Sequence, residues 1–217
     1  MIIEVKDLLV DYGDNENAVL KISEFTLPER GQLAILGRSG SGKTTFLNVL
    51  SGVLRPAAGN VKICGTELTC LKNDELDNFR ARNIGYIFQN LNLLQAYTAL
   101  ENIEIALKLS GAKYDRSEIL ENLSAAGLSR EINKYPYELS LGQQQRIAVI
   151  RSVMKKPALI LADEPTSSLD AENSDFVLEI LKENTEKIGA ALILVSHEPD
   201  VINSFEHKLK FNEINKF

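Results

Sequence analysis

The first third of the chain alternates short apolar runs with polar breaks. Residues 2–10 (IIEVKDLLV), 19–27 (VLKISEFTL) and 60–68 (NVKICGTEL) are rich in Val, Ile and Leu, with charges at intervals close to two. That spacing puts successive side chains on opposite faces and predicts half-buried, antiparallel strands. Residues 32–37 (QLAILG) differ, because their apolar run is continuous and suits a strand covered on both faces. KTTFLNVLSG follows, with Phe46, Leu47 and Leu50 on one side of a predicted helix.

After residues 83–89 (NIGYIFQ) the pattern turns helical. TALENIEIALKLSG opens on Thr98 with Glu101 three residues on, a capping box, and stops at Gly111. RSEILENLSAAG places Ile119, Leu120 and Leu123 together and closes at Gly127. Further on come the apolar strand LILAD (159–163), a helix over about residues 172–188 presenting Val177, Ile180, Leu181 and Ile188, and the strand ALILVSH (191–197). The expected class is therefore α/β. Residues 1–89 and 151–217 form a core with an antiparallel β subdomain, and residues 90–150 are an inserted helical subdomain.

Composition narrows this little. At 217 residues, 44% hydrophobic and 25% charged, the chain is long for one small domain and ordinary for a globular one. The net charge of −6, with no basic cluster, leaves no nucleic-acid footprint. No run approaches the ~18 apolar residues of a membrane span, and MIIEVKDLLV is too charged for a signal peptide. A cytoplasmic protein is expected, held at a membrane only through a partner. Cys64 and Cys70, six apart with only two histidines elsewhere, lack zinc-site spacing and are expected as reduced thiols.

The chemistry concentrates in a few stretches. Gly37–Thr44 reads GRSGSGKT, a P-loop of the form G-x-x-x-x-G-K-[ST] between a predicted strand and helix. Gly37, Gly40 and Gly42 let backbone N–H groups approach phosphate oxygens, and the following helix turns its positive end toward the same anion. Lys43 adds a full charge and Thr44 a hydroxyl for Mg²⁺. At the end of LILADE, Asp163 and Glu164 put carboxylates where burial is costly without a cation or hydrogen-bond network to receive them. Asp163 suits a Mg²⁺ contact and Glu164 the polarising of an attacking water.

LSLGQ at Leu139–Gln143, together with the P-loop, LADEP and the isolated His197, resembles the signature set of the ATP-binding-cassette (ABC) ATPases. The resemblance runs in order from Tyr12 to His197. It implies a RecA-like P-loop NTPase core in which ATP and Mg²⁺ are sandwiched between two copies of the chain. Under it, Tyr12 stacks on adenine, while Gly37, Arg38, Ser39, Gly40, Ser41, Gly42, Lys43, Thr44 and Thr45 surround the phosphates. Gln89 reaches the metal and the attacking water, and Glu164 and His197 serve hydrolysis. Ser140, Gly142 and Gln143 meet the nucleotide of the opposite subunit, and Ser168–Asp170 meets that subunit directly. Leu141 departs from the commoner LSGGQ, and Leu91 and Gln95 replace an expected Phe and Pro near Gln89. NIGYIFQNLNLL and RIAVIRSVMKKPALILADEPTSSLD are similar to the branch of Lol-type lipoprotein-release, MacB-type exporter and FtsE-type ATPases. That similarity implies an ATPase energising a separate permease for export or extraction. Its alternatives are an FtsE-like switch that transports nothing, and a soluble ABC ATPase of repair, translation or iron–sulfur assembly. The last is disfavoured because the chain lacks long heptad arms and a tandem cassette.

Overall fold

A computed structural model describes residues 1–11, 18–167 and 169–216, so the expectations for Tyr12 and Ser168 lie outside the described residues. In chain order the elements are β1 (Ile3–Asp11), β2 (Ala18–Leu27), β3 (Gln32–Leu36), α1 (Lys43–Leu50), β4 (Ala58–Ile63), β5 (Thr66–Glu67), α2 (Asn73–Asn83) and β6 (Ile84–Ile87). They continue with α3 (Ala99–Ser110), α4 (Arg116–Ala125), α5 (Leu141–Val153), β7 (Leu159–Asp163), α6 (Ala171–Ile188), β8 (Ala191–Ser196), α7 (Pro199–Asn203), β9 (His207–Lys210) and α8 (Phe211–Ile214).

Two sheets result. The alternating runs form an antiparallel sheet in the order β2-β1-β4-β5, and the continuous apolar runs form a parallel sheet in the order β6-β7-β8-β3-β9. Every residue of β7 and β8 is buried. Their side chains divide by parity between two cores. Leu159, Leu161, Ile193 and Val195 face α1 and the antiparallel sheet, while Ile160, Ala162, Leu192 and Leu194 face the helices. A strand that is apolar at every position is what burial on both faces requires. The α/β architecture with an antiparallel β subdomain and a helical subdomain is as expected.

Three details depart from the sequence reading. Residues 60–68 are not one strand, because Cys64 and Gly65 both take positive φ (50° and 75°) and turn the chain so that Ile63 pairs with Thr66. Leu120 is 36% exposed whereas Ile119 and Leu123 are fully buried, so only two of the three α4 residues face the core. The boundary drawn at residue 150 falls inside α5, which runs to Val153 and packs on both α3 and α6. The apolar cluster passes without a break from the parallel sheet into α3, α4 and α5. Cys64 and Cys70 are both free thiols.

Candidate functional site

The order of the parallel sheet assembles the site. β6, β7, β8 and β3 are consecutive neighbours, and their C-terminal ends carry Gln89, Asp163 with Glu164, His197, and the P-loop in that sequence. Residues as distant in sequence as Gly37 and Ser196 are joined there, Gly37 N–H donating to Ser196 O at 3.2 Å. Ligand sites of open parallel sheets sit at this edge, since the loops leaving the strands converge on it.

The P-loop turns tightly into α1. Gly42 caps the helix with φ 96°, and a Cβ there would lie 2.8 Å from Leu20 Cδ2. Gly37 is excluded from larger residues by space rather than by φ, because a Cβ would meet Ser41 Oγ at 2.9 Å and Lys43 Cδ at 3.0 Å. Arg38, Ser39 and Gly40 are exposed, and the loop borders an open cleft of about 850 Å³ that also touches His197, Pro199 and Phe211. Ser41 Oγ is buried with no hydrogen-bond partner.

Lys43, only 5% exposed, donates from Nζ to Gly37 O at 2.7 Å and Arg38 O at 3.0 Å, and lies 3.4 Å from Glu164 Oε1. The other oxygen of Glu164 is 2.8 Å from His197 Nδ1 and accepts the His197 backbone N–H at 3.3 Å. Lys43, Glu164 and His197 thus form one continuous polar chain, which sequence spacing gave no means to see. Glu164 takes a left-handed φ of 49°, a conformation costing a residue with a Cβ roughly 1–2 kcal/mol. Backbone strain of this kind concentrates at functional positions.

Asp163 is 3% exposed and its Oδ1 has no hydrogen-bond partner. Burial pushes its carboxyl above the usual range, opposed by a hydrogen bond from Thr44, raised again by the Glu164 charge and lowered by Lys43. A buried carboxylate oxygen with a free lone pair beside a hydroxyl is a fitting donor set for a hard divalent cation. Thr44 and Asp163 could hold such an ion. Gln89 lies in the exposed turn after β6, next to β7 through the pairing of Ile87 with Ala162.

The signature residues stand elsewhere. Ser140 caps α5, its hydroxyl accepting Gln143 N–H at 3.3 Å while Gln143 Oε1 accepts Ser140 N–H at 2.9 Å, a reciprocal capping box. Ser140 and Leu141 are exposed; Gly142 is buried against Asn173, whose Oδ1 would lie 3.0 Å from a Cβ at that position. Asn173 is itself held by both Asp170 carboxylate oxygens at 2.9 Å. Arg146 fastens the helix start, donating to Gly142 O and to Ala126 O and lying over the Phe176 ring. The support from Asn173 and Arg146 was not read from the sequence; an arginine one turn after Gly142 was the available signal.

A family model described as ABC transporter matches residues 20–167. The methionine import ATP-binding protein MetN 1 of Acinetobacter baylyi is 39% identical over 206 residues, covering 92% of this chain and 57% of its own length. The ABC transporter ATP-binding protein YtrE of Bacillus subtilis is 36% identical over 202 residues, covering 92% of this chain and 87% of its own. The chain therefore spans little more than half of the methionine import protein. Among solved structures, the dimeric post-hydrolysis state of the ATP-binding cassette MJ0796 bound to ADP and Pi superposes with a TM-score of 0.87 at 35% identity, over 96% of this chain and 93% of that one.

Proposed function

Because this chain belongs to the ABC transporter family, as an ATP-hydrolysing cassette, we propose that two copies clasp ATP head to tail and that this closure energises a separate membrane permease. The carrying observation is the division of the site. The P-loop, Glu164 and His197 share one sheet edge, while Ser140 and Leu141 are exposed at the start of α5, where Ser140 is bonded to Gln143 in its own first turn. A helix N-terminus that carries N–H donors and faces outward is suited to an anion brought by another molecule. The dimeric state of the MJ0796 cassette is consistent with this arrangement.

In this reading each residue has a defined task. The backbone of Gly37, Arg38, Ser39, Gly40, Ser41 and Gly42 wraps the phosphates, with Thr45 at the loop's end and Tyr12 against the base. Lys43 exchanges the Gly37 and Arg38 carbonyls and Glu164 for phosphate oxygens. Glu164, released from Lys43 and still held by His197 Nδ1, orients the attacking water. Mg²⁺, when bound, would neutralise phosphate charge; Thr44, Asp163 and Gln89 would hold it. Ser140, Gly142 and Gln143 address the nucleotide of the other copy, and Ser168–Asp170 its surface. The helical subdomain that carries this signature takes in α3, α4 and the whole of α5, to Val153.

The subunit works at the inner face of the membrane through its permease. Asn83–Leu94 and Arg146–Asp170 support the export or extraction branch; the methionine import name among its relatives marks the direction that the partner must decide. A purified membrane partner that stimulates the ATPase and moves cargo outward supports the branch. One that stimulates the ATPase but moves nothing would make the chain an FtsE-like switch. For the shared site itself, Glu164→Gln should keep ATP binding, abolish hydrolysis and accumulate a dimer with Mg-ATP, read by light scattering. Normal hydrolysis in that variant would remove Glu164 from its role.

A further inference from the structure

Glu164 and His197 have a third neighbour at the sheet edge. A side-chain oxygen of Glu164, a ring nitrogen of His197 and a side-chain oxygen of Glu198 all lie within 4.8 Å of one another. Among the described residues this is the only group of His, Cys, Asp and Glu so gathered. Adjacent strands bring it together, since Glu164 follows β7 while His197 and Glu198 follow β8. Ser196 Oγ accepts the Glu198 backbone N–H at 3.0 Å and so pins the turn that carries both residues. Glu198 has no part in the hydrolytic scheme above, and among the described residues it forms no salt bridge.

Two carboxylates and an imidazole make a mixed donor set. Imidazole nitrogen suits zinc, whereas Mg²⁺ prefers oxygen ligands and water. Zinc bonds of about 2.0–2.2 Å in a tetrahedral shell set neighbouring ligand atoms about 3.3 Å apart. Glu164 Oε2 and His197 Nδ1 stand 2.8 Å apart, so they need to open by only about half an ångström. The other Glu164 oxygen faces Lys43 at 3.4 Å, which leaves Oε2 as the one turned to the imidazole. The His197 side chain is 54% exposed and borders the cleft beside the P-loop, which gives an ion a path in. Two carboxylates also offset the two charges of the ion.

We propose that Glu164, His197 and Glu198 form a zinc site, with water as the fourth ligand, whose occupation halts hydrolysis while nucleotide binding stays in place. Zinc takes an electron pair from Nδ1 and one from Oε2, and the hydrogen that joined those atoms leaves to solvent as a proton. Glu164 can then no longer orient an attacking water. Lys43, Thr44 and Asp163 are outside the set, so ATP and Mg²⁺ keep the ligands assigned to them. The effect on turnover rests on the preceding reading of Glu164; the site itself rests on the three side chains alone.

Zinc chloride titrated into the nucleotide-free full chain should bind at one ion per chain in calorimetry. X-ray absorption at the zinc edge should show one imidazole and otherwise oxygen. His197→Ala should abolish that binding. Glu198→Gln should weaken it at least about tenfold, ~1.4 kcal/mol, while its ATPase rate without zinc matches the wild type. In Mg-ATP assays zinc should inhibit the wild type, a zinc-selective chelator should restore it, and Glu198→Gln should need at least about tenfold more zinc for equal inhibition. No binding, or an unchanged affinity in Glu198→Gln, overturns the proposal. Sulfur in the zinc shell overturns it by placing the ion on Cys64 or Cys70, and equal inhibition of both proteins does so by placing zinc on the nucleotide. The titration and the absorption spectrum contain no ATP, so they report the site even if Glu164→Gln shows normal hydrolysis and the preceding reading fails.

Discussion

In the proposed role, Lys43 has two sets of partners for one charge, and the nucleotide must win it from the first. Its ammonium is satisfied by two loop carbonyls and faces Glu164, so binding gains only the difference between that arrangement and phosphate. Lys43→Ala should still weaken ATP affinity by at least about tenfold, ~1.4 kcal/mol, in calorimetry with Mg²⁺ present; a smaller loss would mean the loop backbone alone suffices. Asp163 makes a prediction in pH. Its carboxyl is raised chiefly by burial, and a cation needs it ionised. Mg²⁺ affinity should fall as pH drops from neutral toward the carboxylate range, with a proton released on binding, and Asp163→Asn should flatten the profile. The sign follows because the cation favours the charged form that burial disfavours. A titration showing no proton release would separate Asp163 from the metal. The sequence showed the presence of Lys43, Asp163, Glu164 and His197, but not that one of the Glu164 oxygens holds His197 while the other faces Lys43.

At the scale of elements, the start of α5 distinguishes two adjacent residues. Leu141 is the first residue of the helix, 43% exposed and absent from the left-handed residues. Its place in the helix gives it an ordinary negative φ, where a side chain carries no strain. Leu141→Gly should change ATPase activity only a few-fold. Gly142 sits under Asn173, whose Oδ1 would lie 3.0 Å from a Cβ there, so any side chain has to displace it. Gly142→Asp should cut hydrolysis by at least about a hundredfold, ~2.7 kcal/mol of barrier, while ATP binding to the single chain stays nearly intact. Equal losses from both, or weakened binding in Gly142→Asp, would show that the signature has been misplaced. The capping box at Thr98 and the stop signals at Gly111 and Gly127 were readable locally, since each concerns a helix end. Leu120 was misplaced because spacing sets a helix face but not how wide a face the neighbours cover.

Over the whole molecule, the proposed site is divided between the sheet edge and the start of α5. The isolated wild-type chain should therefore turn over ATP slowly, with a rate per chain that rises with protein concentration. A concentration-independent rate from a chain shown to be monomeric would exclude a site shared between copies. Burial of β7 and β8 on both faces also ties the nucleotide edge to the helical side through one apolar cluster.

Local chemistry was decided by the sequence alone. The P-loop, the carboxylates ending an apolar strand, the helix caps and the division between alternating and continuous strands all depend on neighbours within a few residues, where propensity and periodicity act. What only the tertiary structure decided was adjacency across the sheet: the order β6-β7-β8-β3 that aligns Gln89, Glu164, His197 and Lys43, Asn173 over Gly142, and Arg151 gripping the Leu91 and Asn92 carbonyls. Strand order is set by long-range packing and crossover connections, and no local pattern encodes which distant side chains that packing will bring together.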